Sequence, residues 1–161
     1  MAILDYVIPG YKGYRLRAES RETDKLFRDY VTKLLSEGHQ KMETIKVDLT
    51  RTGNLMSLNP ADSCTKQLTR VRDRLRFANY GFSALFDKGQ TKVDHTRLER
   101  IEEFDKKMVD QQKEIADQID KIQSVVDAGD DPAGEFRNLQ GFIRIMDEHL
   151  NSRERMIRGQ E

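Results

Sequence analysis

The chain has no tryptophan, a single cysteine and only three prolines in 161 residues. It also lacks any apolar run near the roughly 20 residues a membrane-spanning helix needs. Each absence excludes something. Cys64 alone cannot make an internal disulfide, and no basic stretch followed by a long apolar run and a cleavage site marks the chain for export, so a cytoplasmic location is expected. Charge of one sign is missing too: 28 basic residues cancel 28 acidic ones. No global field therefore draws the protein to nucleic acid, an anionic membrane or acidic substrates. Neither G-x-x-x-x-G-K-[ST] nor G-x-G-x-x-G occurs, so no phosphate-cradling loop is expected.

What is present is charge in abundance, 35% of residues, interleaved with Leu, Ile and Met. That is the composition of long solvated helices, and the length suits one core of useful size. Residues 1–14, "MAILDYVIPGYKGY", are mostly apolar and broken by Pro9, Gly10 and Gly13, which sets them apart as a docking segment. The spacing of Phe27, Val31, Leu34, Met42, Ile45 and Leu49 predicts a helix over about 15–52, weakened but not ended by Gly38. Gly53 stops it. Asn59 as cap and Pro60 at the first position open a second helix over about 60–86, whose seam Cys64, Leu68, Val71, Leu75, Ala78, Phe82, Leu85 alternates steps of four and three.

Asp94 caps a third helix, about 94–127, with the seam Leu98, Ile101, Asp105, Met108, Gln112, Ile115, Ile119, Ile122, Val126. Asp131 and Pro132 open a fourth, about 132–157, on Phe136, Leu139, Ile143, Met146, Leu150, Arg153 and Ile157. Short connections favour an antiparallel up-down-up-down four-helix bundle over residues 15–161. Residues 62–88 carry six basic against three acidic side chains, and residues 93–131 six basic against twelve acidic. The second and third helices are therefore expected to neighbour each other, with Arg72 and Arg74 facing acidic partners on the third.

Candidate chemistry is thin. "RVRDRLR" at 70–76 could meet phosphates, but its arginines flank the seam and serve helix pairing instead, so no nucleic acid is expected. A di-metal bundle site needs Glu-x-x-His pairs, and the residues three before His39, His95 and His149 are Ser36, Lys92 and Met146. Cys64 reads as a buried thiol and His149 as a packing or solvated imidazole. Asp105 and Gln112 read as a polar layer fixing register, or as a small-ligand site. No enzyme activity, metal or cofactor is expected.

The remaining lead is aromatic. "RFANYGFSALF" at 76–86 places Phe82 in the seam and Phe86 at its edge, while Phe77 and Tyr80 point away from it. Three covers for that second stripe are open: the N-terminal segment of the same chain, another chain, or a membrane surface. The first third of the first helix has little to bury and is expected to overhang the bundle. Together these features predict a non-catalytic interaction or scaffold protein, binding a protein partner or a copy of itself through Tyr6, Tyr11, Tyr14, Arg15, Arg17, Phe77 and Tyr80. A weak peripheral membrane contact through the apolar N-terminus and Lys12, Arg15 and Arg17 is the alternative, and a ligand-binding or enzymatic bundle is the third reading.

Overall fold

The computed structural model describes residues 3–14, 17–78 and 95–158, and all regular structure among them is helical. Four helices, α1 (Arg17–Arg51), α2 (Leu58–Arg76), α3 (His95–Asp127) and α4 (Ala133–Arg158), form a bundle. Two short 3-10 turns, Ile3–Tyr6 and Leu55–Ser57, complete the set among the described residues. The predicted seams of α2, α3 and α4 are buried at the described positions except Ala78, which lies past the end of α2 and is half-buried, so the period of the apolar residues determines which face of each helix turns inward. In α1 the seam takes Leu35 where Leu34 was expected, and it runs back through Asp24. Gly38 belongs to that seam: a Cβ there would lie 3.0 Å from Ile119 Cδ1, so its bareness lets α1 approach α3 closely.

The helix ends follow from local chemistry. α1 and α3 both stop on a positive-φ glycine, Gly53 and Gly129. The following amides, of Asn54 and Asp130, return to the carbonyls of Leu49 and Val125, a six-to-one bond that satisfies a terminal acceptor. Asp131 accepts the Ala133 amide at 3.0 Å and so caps α4, with Pro132 in the first position as its fixed φ favours. The start of α2 differs from expectation. Asn59 is not the cap, because the 3-10 turn Leu55–Ser57 feeds straight into a helix beginning at Leu58. Pro60 still falls in the first turn, where its missing amide costs no bond. Described helix ends at Arg76 with Phe77 as its cap; the rest of the predicted second helix, from residue 79 to 86, lies outside the described residues.

The packing order corrects the sequence reading. α1 packs on α2 and α3, and α4 packs on the same two helices, so α2 and α3 are not the neighbours that their opposite charges suggested. Lys46 meets Asp62 at 3.3 Å and Arg28 reaches the Leu75 carbonyl at 3.1 Å, which fixes α1 and α2 antiparallel. Gln118 meets Glu135 at 2.7 Å and Arg153 meets Asp105 at 2.5 Å, which does the same for α3 and α4. Between these hairpins α1 and α3 run parallel, joined by Lys41–Asp120 at 2.8 Å and Gln123–Asp48 at 3.1 Å. Direction therefore alternates along the chain, while the order around the bundle is α1, α2, α4, α3. Arg74 pairs with Asp147 and Glu154 of α4 rather than with α3. Exposed ion pairs contribute about 0–1 kcal/mol each, too little to choose a neighbour against the burial of the seams.

Candidate functional site

At one end of the bundle three seams each carry a charged residue: Asp24 in α1, Asp105 in α3 and Arg153 in α4. All three are buried, and they meet. The Arg153 Nε donates to Asp105 Oδ1 at 2.5 Å, and its Nη2 donates to Asp24 Oδ1 at 2.7 Å. Arg28 donates to the other Asp24 oxygen at 2.8 Å, so two carboxylates are balanced by two guanidinium groups. The Arg153 guanidinium also lies 4.6 Å from the Phe27 ring centroid, an apolar floor that suits a weakly hydrated cation.

The fourth side of this layer comes from the N-terminal segment. Leu4, Ile8, Tyr11 and Tyr14 are buried, and the segment lies as a strap along α1 and α3. Tyr11 and Tyr14 each donate a hydroxyl to Asp105 Oδ2, at 2.8 and 2.5 Å, and the Tyr14 hydroxyl accepts from Arg153 Nη2 at 2.8 Å. Their rings meet edge to face, with centroids 6.1 Å apart. Gly13 makes the approach possible. Its φ of +76° is the left-handed region that favours glycine, and a Cβ there would fall 2.2 Å from Glu102 Oε1, which accepts the Tyr14 amide at 3.1 Å.

Burial shapes the acid–base character of the layer. It pushes the Tyr11 and Tyr14 hydroxyls well above the ordinary phenol range, with the neighbouring carboxylate adding to the effect and Arg153 opposing it. It also raises the Asp105 carboxyl, against the pull of Arg153 and the two tyrosines. Elsewhere burial pushes the Cys64 thiol up to about 12, and its sulfur faces the Phe136 carbonyl at 3.6 Å. A thiol in that state is not a nucleophile at neutral pH.

The expected site residues are scattered. Tyr11 and Tyr14 are in the core, so they offer no surface to a partner. Tyr6 is 83% exposed and Val7 43% exposed, on the outside of the strap. Phe77 is 71% exposed at the end of α2, with the Arg76 guanidinium 5.3 Å from its ring centroid. Arg15 and Tyr80 lie outside the described residues, as does the side chain of Arg17. The expected overhang of α1 is absent over its described part: Ser20, Thr23 and Asp24 are buried, because α3, α4 and the strap all extend to that end. Nor does the strap cover Phe77, since it follows the α1–α3 side and Phe77 sits where α2 ends.

Asp105 and Gln112, grouped in the sequence reading, part company. Asp105 is sealed in the polar layer, while Gln112, one heptad further along α3, opens onto a cavity of about 440 Å³ between α1 and α3 that Val7 bounds at one end. No helix among the described residues is long and apolar enough to cross a membrane. No family model matches the chain, and no curated protein or solved structure matches it.

Proposed function

We propose that the protein is a non-catalytic interaction module that docks apolar surface of another chain, in the first instance a second copy of itself, against the outer face of the N-terminal strap. The observation that carries this reading is the alternation along the strap. Leu4 and Ile8 anchor it in the bundle, and between them Tyr6 and Val7 are held out in solvent. An aromatic residue whose flanking backbone is already anchored has less chain freedom to lose on binding, which suits an interface anchor. The absence of net charge removes the long-range repulsion that keeps many chains apart.

The membrane reading is the weaker one. Leu4, Ile8, Tyr11 and Tyr14 are used inside the bundle, so insertion into lipid would first have to strip Asp105 of two hydrogen bonds. Flotation with anionic liposomes at low salt measures it directly, and co-migration would favour it over chain–chain docking.

The test is the mass in solution of the full chain and of a Tyr6→Ser, Val7→Ser variant. The wild type is expected to run above the monomer mass with a concentration dependence, and the variant to run as a monomer with unchanged melting. A wild type that stays monomeric throughout would remove self-docking, and an assembled variant would place the interface elsewhere.

A further inference from the structure

His149 of α4 lies outside both the polar layer and the strap. It turns its ring onto Phe104 of α3, with centroids 6.4 Å apart and planes inclined at 57°. Its Nδ1 is buried and has no hydrogen-bond partner among the described residues. The residue as a whole is half-buried, so the opposite edge of the ring, with Nε2, is the one that reaches water. A neutral imidazole tolerates this seat by keeping its proton on Nε2 and leaving Nδ1 bare. A second proton would put a donor and a positive charge on Nδ1, where no acceptor answers it, and a buried unpaired donor is costly.

The charges around the seat add to that cost. From α3, the Lys107 ammonium lies 5.3 Å from the centroid of the same Phe104 ring, and Arg100 and Glu103 stand on adjoining positions of that helix. From α4 come Glu148, the preceding residue, and Arg153 one turn on, whose guanidinium is already paired with Asp105 and Asp24. On the other flank of α4 packs α2, where Arg74 meets Asp147. Burial holds the His149 pKa below the ordinary histidine value; Lys107 adds to the effect and Glu148 opposes it.

We propose that His149 is an acid-sensitive latch on the α3–α4 flank: neutral, it seats on Phe104 and closes that flank, and protonated, it swings into water and uncovers the ring. Opening adds Phe104 to the apolar surface that Ile145, 40% exposed one turn back along α4, already presents. The latch is independent of the strap surface, which lies on the α1–α3 side. The unfolded chain takes up this proton at the ordinary value of about 6.5, and the folded chain only at lower pH. The stability associated with the group is therefore complete above about pH 6.5 and falls as pH drops below it, until the folded-state value is passed.

Proton NMR of the full chain, followed from neutral to acid pH, tests the latch. The His149 ring is expected to titrate below about pH 6.5, and the cross-relaxation between the His149 and Phe104 rings to be lost with the same midpoint. Lys107→Gln, which takes away the neighbouring cation, is expected to move that midpoint up. In urea unfolding, the wild type is expected to lose stability more steeply than His149→Gln between about pH 6.5 and 5. The Asp105 carboxyl, raised by burial, contributes in the opposite sense and is common to both proteins, so the difference isolates the imidazole. A titration at or above the ordinary histidine value, an unmoved midpoint in Lys107→Gln, ring contact that survives protonation, or parallel stability curves would each overturn the proposal. Should His149→Gln fail to fold, the Lys107→Gln midpoint and the ring contact in the wild type still decide it.

Discussion

Arg153 is the residue on which the most interactions converge. It is buried in a layer where its removal leaves Asp105 and Asp24 facing each other without it, and breaking a buried pair from one side costs about 3–5 kcal/mol. Arg153→Met is expected to destabilise by that order in urea unfolding. Adding Asp105→Leu is expected to recover part of the loss, so that the double variant costs less than the sum of the two singles. A strictly additive cycle would mean that the pair is not coupled. Cys64 gives a second check at this scale. With its thiol pushed up to about 12 and its side chain buried, it is expected to resist a disulfide reagent at pH 8 under native conditions and to react fully in denaturant. Half of this polar layer was legible in the sequence, since Asp105 and Arg153 both stand at predicted seam positions. Their pairing was not, because periodicity fixes which face of a helix turns inward but says nothing of the height at which two helices meet. Asp24 was missed because the segment around it was judged by its apolar residues alone. One step of three back from Phe27 reaches Asp24 and would have found it.

Among the elements, the strap is the one whose role changes between sequence and structure. Its apolar content predicts docking, yet 14 residues with no helical period give no sign of which side faces the bundle, and the burial of Tyr11 and Tyr14 follows from tertiary contacts alone. The helices were legible because their seams repeat; the neighbour of α2 was not, because charge totals average over flanks that face different helices. Arg74 illustrates it, since Asp147 and Glu154 lie on a helix whose overall balance gave no reason to favour it. The strap also sets an alkaline limit. Burial holds the Tyr11 and Tyr14 hydroxyls protonated well above the ordinary phenol range, so the unfolded chain releases protons from about pH 10 while the folded chain holds them. The stability associated with these two groups is complete below that pH and falls as pH rises through it. The urea midpoint is expected to drop between about pH 9.5 and 11.5, with a shallower drop in a Tyr11→Phe, Tyr14→Phe variant; equal slopes would show that the hydroxyls ionise without unfolding.

For the whole molecule, the structure packs an N-terminal strap, a layer of three buried charges joined by the half-buried Arg28, and four helices against one another, and it leaves Tyr6 and Val7, the residues proposed above for docking, in solvent. Deleting residues 1–14 is therefore a poor test of docking, since it removes Leu4, Ile8, Tyr11 and Tyr14 from the core and two donors from Asp105. Helicity that would be untouched if the segment were an appendage is expected to melt at lower temperature without it. The lack of tryptophan makes the decisive experiment simple, because tyrosine emission is then visible and three of the five tyrosines, Tyr6, Tyr11 and Tyr14, belong to the strap. Equilibrium unfolding in urea, followed on one sample by tyrosine fluorescence and by far-UV circular dichroism, asks whether strap and bundle come apart together. Coincident transitions with one midpoint are the expected result. A tyrosine transition at lower urea, completed while the helical signal still stands, would contradict the claim that the strap is part of the core.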